Sequence, residues 1–126
     1  MMTTVEELMV EAVVVAKAGE TVGEVREKMT SLDIGAVPVV DDAGSLVGIL
    51  TVDDLVSGYP MTLPVSRVMS TEVVTMTPTT DVRHAAIEMR RLRRHHVVVR
   101  RGDKIVGILS SWDLLSLIGK VTDADS

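Results

Sequence analysis

The chain repeats itself. Displaced by 60 positions, Leu8-Met9 falls on Val68-Met69, Val13-Val14 on Val73-Val74, and Val22, Val25, Met29 and Leu32 on Val82, Ala85, Met89 and Leu92. Beyond residue 40 the displacement drops to 59, so that Leu46-Val47-Gly48 meets Ile105-Val106-Gly107. The lost residue falls in a turn, where DDAG at 41–44 stands against RGD at 101–103. A period of this length signals two copies of one supersecondary unit. Each copy is too small to bury a comfortable core alone, so the fold must be made twice and completed by pairing.

Each copy reads in the same order. A β-branched run opens it (Val13 to Ala16; Val73 to Met76), and a helix follows with apolar residues at 22, 25, 29 and 32 in helical spacing. Thr21 with Glu24 makes a capping-box start, and Asp81 is the matching N-cap. A second strand (Val37 to Val40; Val97 to Val99), a tight turn and a third strand (Leu46 to Leu50; Ile105 to Leu109) form a hairpin. A last helix begins at a hydroxyl residue and stops near Ser57-Gly58 in one copy and near Gly119 in the other. The expectation is an α+β fold of two β-α-β-β-α repeats, packed sheet against sheet as a pseudo-twofold pair. Its boundaries are 1–58 for the first repeat, 59–64 for a stiff proline-bearing linker, 65–120 for the second repeat and 121–126 for a disordered tail.

Composition narrows the chemistry. With 2% aromatic residues and no Phe, the core has to be built from Val, Leu, Ile, Met and Ala. The absence of Cys excludes disulfide scaffolds and thiolate metal sites. No apolar run approaches the roughly 20 residues that span a bilayer, and MMTTVEEL lacks the marks of a signal peptide. A cytoplasmic location is the default expectation. Charge is uneven: residues 1–64 carry 3 Lys/Arg against 11 Asp/Glu, or −8, while 65–126 carry 10 against 7, or +3. RRLRRHHVVVRR at 90–101 holds six of the nine Arg. It reads first as a solvated helix end and hairpin, and second as a rim that attracts phosphate.

The two most alike stretches are GILTVDD at 48–54 and GILSSWD at 107–113. Thr-x-x-Asp and Ser-x-x-Asp are helix N-cap arrangements; the same hydroxyl and carboxylate can instead face a ligand. No nucleophile-base-orienter set, GxGxxG or Lys-bearing phosphate loop occurs, so catalysis is not expected. His95-His96 is a poor chelate, because neighbours in an extended strand point to opposite faces, and no metal site is expected.

Taken together, IGAVPVVDDAGSLVGILTVDDL at 34–55 and its diverged copy HHVVVRRGDKIVGILSSWDLL at 95–115 resemble a tandem pair of CBS domains, the cystathionine-β-synthase-type regulatory module. The resemblance covers about residues 5 to 119. It implies a regulatory pair that is not an enzyme, needs no cofactor, often forms a homodimer, and binds an adenine nucleotide or S-adenosylmethionine in clefts between the repeats. It assigns Thr51 and Asp54, with Ile49, to one cleft, and Ser110 and Asp113, with Ile108, to the other, the aspartates taking the ribose hydroxyls. The Asp113 cleft would draw its base wall from Ile34, Gly35 and Ala36, and its phosphate end from Arg94, His95 and His96. The Asp54 cleft would have Gly35 and Ala36 where a cation should meet phosphate, so Asp113 marks the stronger site and Asp54 the weaker.

Three positions depart from the family pattern. Val98 replaces a usual Pro, Trp112 stands where smaller residues are common, and Glu11-Ala12 occupies a place often held by Thr or Ser. A lone Trp at a helix start reads first as a packing residue. With no effector domain in this sequence, the output is expected to pass to a separate protein. One alternative is a ligand-free dimerisation or docking module using Val98, Trp112, Met61 and Met69. A weaker one is nucleic-acid binding through the Arg-rich segment 90–101, which lacks interleaved aromatics.

Overall fold

The computed structural model describes residues 2–11 and 13–125, with side chains through Ile118. Ala12, at the first-strand entry, lies outside the described residues. The elements are α1 (Val5–Leu8), β1 (Ala16–Lys17), α2 (Val22–Leu32), β2 (Ala36–Val40), β3 (Leu46–Thr51), α3 (Val52–Val56), β4 (Thr75–Met76), α4 (Val82–Leu92), β5 (His96–Arg101), β6 (Lys104–Ser110) and α5 (Ser111–Asp125), with a 3-10 turn at Val65–Arg67. They form two three-stranded sheets, β1-β2-β3 and β4-β5-β6. Each has one parallel pair joined across a helix and one antiparallel hairpin. The mixed α+β class and its duplication are as the sequence implies.

Local chemistry explains the helix starts. Thr21 Oγ1 accepts from the Glu24 N–H at 3.1 Å, and Asp81 Oδ1 accepts from the Arg83 N–H at 2.8 Å, each satisfying an orphan donor of a first turn. The two 11-residue helices, α2 and α4, each end on a non-glycine residue in the left-handed region, Asp33 (φ 52°) and Arg93 (φ 54°).

The packed unit is not the repeat as written along the chain. Residues 14–73 form one compact unit, while 1–13 and 74–126 form the other. The core of the β1–β3 unit holds Val25, Met29, Val37, Val39 and Leu50 together with Val65; that of the β4–β6 unit holds Ala85, Met89, Val97, Val99 and Leu109 together with Val5. Val5 and Val65 are therefore exchanged, each lying in the core built around the other copy's sheet. The bridges agree. Val10 pairs with Ile108 beside β6, and Ser70 pairs with Ile49 beside β3. The expected linker is tied down within its unit, since Val22 N–H donates to Leu63 O and Gly23 N–H to Met61 O.

Other expectations change. The first strand of each copy is two residues long, not four. Pro38 has no N–H to extend the pairing beside β1, whereas Val98, its counterpart, donates to Val74 O at 2.9 Å. Leu32 and Leu92 are exposed, so the apolar stripe of each helix closes at Met29 and Met89. Met69 is half-buried and lies against Gly48 within its unit. Gly119 does not stop α5, which runs to Asp125 through most of the stretch expected as a tail; no proline follows that glycine to end the helix.

Candidate functional site

In each unit the repeated hydroxyl–carboxylate pair sits where the last strand hands over to a helix. Ser110 ends β6 and Asp113 falls in the first turn of α5. Asp113 Oδ2 accepts from the Ser110 N–H at 2.8 Å, and Ser110 Oγ accepts from the Asp113 N–H at 3.1 Å. In the other unit Asp54 Oδ2 accepts from both the Thr51 N–H at 2.8 Å and the Thr51 hydroxyl at 3.2 Å. The cap is present in both copies, yet it does not consume the carboxylate. A carboxylate offers about four lone-pair sites, and both aspartates are half-buried. Asp54 is the more committed of the two, because two donors converge on one of its oxygens.

Asp113 lines a depression of about 550 Å³ with Glu7, Leu8, Trp112, Leu115 and Ser116. That volume lies within the roughly 300–1,000 Å³ typical of small-molecule sites. Glu7 is fixed there by the start of α1, its Oε2 accepting from the Thr4 N–H at 2.6 Å. Among the described residues the lining thus holds two carboxylates, an indole and aliphatic surface, with no Lys, Arg or His. Such a wall favours a neutral or cationic group over a phosphate. Trp112 is 78% exposed, so it is not the packing residue the sequence suggested; it stands at the edge of the depression with its ring in solvent.

Arg94 and His95 lie elsewhere. With Met89, Arg90, Arg93 and Ser111 they line a separate depression of about 420 Å³. His95 Nδ1 is 3.4 Å from Ser111 Oγ, and the Ser111 N–H donates to His95 O at 2.9 Å. Ser111 and Asp113 are two apart on one helix, a spacing that turns side chains away from each other. Of these two depressions, one is lined by Asp113 and the other by Arg94 and His95. His96 is half-buried at the start of β5, and Ile108 is half-buried in β6.

The residues expected as a base wall belong to the β1–β3 unit, at the junction of α2 and β2. Ile34 is half-buried, Gly35 is exposed with its carbonyl accepting from the Val52 N–H at 3.1 Å, and Ala36 is buried. Ile49 is buried in β3. Sequence reasoning missed Glu7 and Leu8. The signal was available in the alignment of Leu8-Met9 with Val68-Met69, but the exchange that carries α1 to Asp113 needs the fold to be seen.

The basic segment is partly neutralised. Arg91 pairs with Glu88 at 2.6 Å, Arg83 with Asp81 at 2.7 Å, and Arg101 reaches Glu6 at 3.6 Å. The guanidinium hydrogen bonds hold the Glu88 and Asp81 carboxyls below their usual range and raise both arginines. Among the described residues no cluster of three or more His, Asp or Glu could hold a metal ion, and no helix is long and apolar enough to cross a membrane.

Comparison with known proteins places these features in context. A family model described as CBS domain matches residues 5–60 and 65–120. The CBS domain-containing protein YhcV of Bacillus subtilis is 30% identical over 118 residues, covering 90% of this chain and 84% of YhcV. L-aspartate semialdehyde sulfurtransferase of Methanosarcina acetivorans is 31% identical over 122 residues, 92% of this chain but only 24% of that enzyme. Among solved structures, the CBS domain pair of protein MJ0100, in complex with methylthioadenosine and S-adenosyl-L-methionine, superposes with a TM-score of 0.88 at 26% identity, over 95% of this chain and 98% of that one.

Proposed function

The chain belongs to the CBS domain family, and from that premise we propose that it is a regulatory CBS pair, not an enzyme, that binds an adenosyl ligand beside Asp113 and passes the signal to a separate protein. The observation that carries the reading is the Ser110–Asp113 capping box, which holds a carboxylate at the edge of a depression while leaving acceptor sites for a ribose diol. The pair from MJ0100, which binds S-adenosylmethionine and methylthioadenosine, supports the ligand class.

The lining refines the choice. Glu7 and Asp113 disfavour a polyphosphate and favour a sulfonium or neutral thioether tail, for which the exposed Trp112 ring offers a cation–π face. S-adenosylmethionine and methylthioadenosine are therefore placed ahead of ATP, ADP and AMP. Ile34, Gly35, Ala36 and Ile108 are the contributors to base recognition in this reading; Thr51, Asp54 and Ile49 make the weaker counterpart. The working species is a homodimer, and the ligand acts through unequal affinity for two states of it.

A thermal-shift series with S-adenosylmethionine, methylthioadenosine, AMP and ATP tests the choice. The sulfur-containing pair should raise Tm at concentrations where ATP does not. A larger shift with ATP would overturn the ligand assignment, and no shift with any of the four would remove the sensor.

A further inference from the structure

With eight Met and no Cys, the chain carries all its sulfur as thioether. Met29 and Met89 are buried, and Met9, Met69 and Met76 are half-buried. Among the described residues two methionines are exposed, Met2 at 51% and Met61 at 36%. Met61 has a cation on its sulfur: Arg26 Nη1 donates to Met61 Sδ at 3.8 Å. Arg26 is itself exposed. Among the described residues it pairs with no carboxylate, whereas Arg83 pairs with Asp81 and Arg91 with Glu88. A thioether is a weak acceptor, so a guanidinium is a mismatched partner for it.

The segment that carries Met61 is fixed to α2. Met61 O accepts from the Gly23 N–H at 2.9 Å and Leu63 O from the Val22 N–H at 2.8 Å, which satisfies two orphan donors of the first turn. A Cβ on Gly23 would lie 3.2 Å from both Met61 Cβ and Met61 O, so glycine is what admits the close approach. The scaffold does not demand the arrangement. In the other copy Val82 N–H donates to Thr3 O in the same way, but Arg83 stands in the place of Gly23 and Ala86 in the place of Arg26.

We propose that Met61 is a site of reversible oxidation by hydrogen peroxide, and that Arg26 is the group that receives the sulfoxide oxygen. The thioether sulfur attacks one peroxide oxygen. The S–O bond forms as the O–O bond breaks, and the second oxygen leaves as water with both peroxide protons. Sulfur is oxidised by two electrons and the peroxide is reduced by two. The Arg26 N–H groups face the oxygen as it takes on negative charge. They then hold the sulfoxide by a charge-assisted hydrogen bond, stronger than the contact with the thioether. Oxidation therefore ties residues 61–63 more firmly to α2 and strengthens the cap at Val22 and Gly23. Methionine sulfoxide reductases reverse the change. Met61 and Arg26 belong to the β1–β3 unit and Asp113 to the other, so the site does not depend on the adenosyl reading.

Peptide mass spectrometry during exposure of the full chain to dilute hydrogen peroxide tests this, with Met2 as the internal standard. In the wild type the Met61 sulfoxide should form about threefold faster than that of Met2, the effect of one added hydrogen bond in the transition state. Arg26→Leu should abolish the advantage, and Arg26→Lys, which keeps a cationic donor, should retain part of it. Equal Met61 rates in the wild type and Arg26→Leu, or oxidation of Met2 ahead of Met61 in the wild type, would overturn the role of Arg26. In the oxidised wild type, hydrogen exchange at the Val22 and Gly23 amides should slow by about threefold and recover after reductase treatment. Exchange that is unchanged or quickens on oxidation would overturn the tightening.

Discussion

The carbonyl oxygen of Ser70 lies 2.9 Å from the point where Gly48 would carry a Cβ. At the equivalent point on Gly107 the three nearest atoms all belong to the side chain of Met9, whose Cγ is 2.8 Å away. Each glycine is a place where a segment from the other sequence repeat crosses the sheet, and the two crossings differ in how much they can give. Backbone at Ser70 is fixed by its reciprocal bonds with Ile49, at 2.9 and 3.0 Å. The Met9 side chain is free to change rotamer. Gly48→Ala is therefore expected to destabilise by about 2 kcal/mol or more and Gly107→Ala by clearly less, about 1 kcal/mol. Chemical denaturation of both variants measures the order; the reverse order would contradict the crossing geometry.

The two aspartates should behave differently. Asp54 spends one oxygen on two Thr51 donors and Asp113 spends one on a single backbone N–H. Asp54→Asn is expected to leave adenosyl binding within about twofold of wild type and to lower stability by under ~1 kcal/mol. Binding should saturate at one ligand per chain. Equal occupancy at two sites would show that the asymmetry is absent.

Trp112 offers a probe without a structural cost. An indole with most of its surface in water contributes little to the fold, so Trp112→Ala should change unfolding free energy by no more than about 0.5 kcal/mol. As the sole tryptophan beside Asp113, it should report the ligand directly. Its emission should quench or shift blue on adding S-adenosylmethionine. Unchanged emission at saturating ligand would move the site away from this depression.

Acid should loosen the fold through carboxylates whose partners favour the charged form. Burial pushes the Glu20 carboxyl up, but hydrogen bonds from Lys28 Nζ and the Lys17 N–H, each 2.6 Å, together with the charges of both lysines, bring it below its ordinary value of 4.5. A folded pKa below the unfolded one means that the native state binds fewer protons. The stabilisation is then complete above pH 4.5 and is lost as pH falls through the folded value. Asp81 and Glu88 act in the same direction. The difference in Tm between wild type and Glu20→Gln should be constant above neutral pH and shrink below 4.5; a gap that widens in acid would reverse the sign.

Much of this was legible in the sequence because the repeat gave every apolar position a witness. Val25 with Ala85, Met29 with Met89, and Val37 with Val97 each mark the same core position twice. The caps were legible as well, since Thr21, Asp81 and the Thr51 and Ser110 motifs act through bonds only two or three residues long. What escaped was long-range. Nothing local to Val5 or Met9 says that they pack beside β6 and not on their own repeat's sheet, so the identities of Glu7 and Leu8 as site residues stayed hidden. Likewise the run from Arg90 to Arg101 announces charge but not direction. The turn of α5 that sets Ser111 beside His95 and Asp113 in another depression is likewise not legible from the motif alone.

The most direct measurement is calorimetric titration of S-adenosylmethionine into the wild-type chain and into Asp113→Asn, a change that keeps an acceptor for the Ser110 N–H. The account predicts saturable binding by the wild type and a loss of about tenfold or more in the variant, with Tm of the unliganded proteins nearly equal. Identical affinities in the two proteins, or no heat with either, would contradict it.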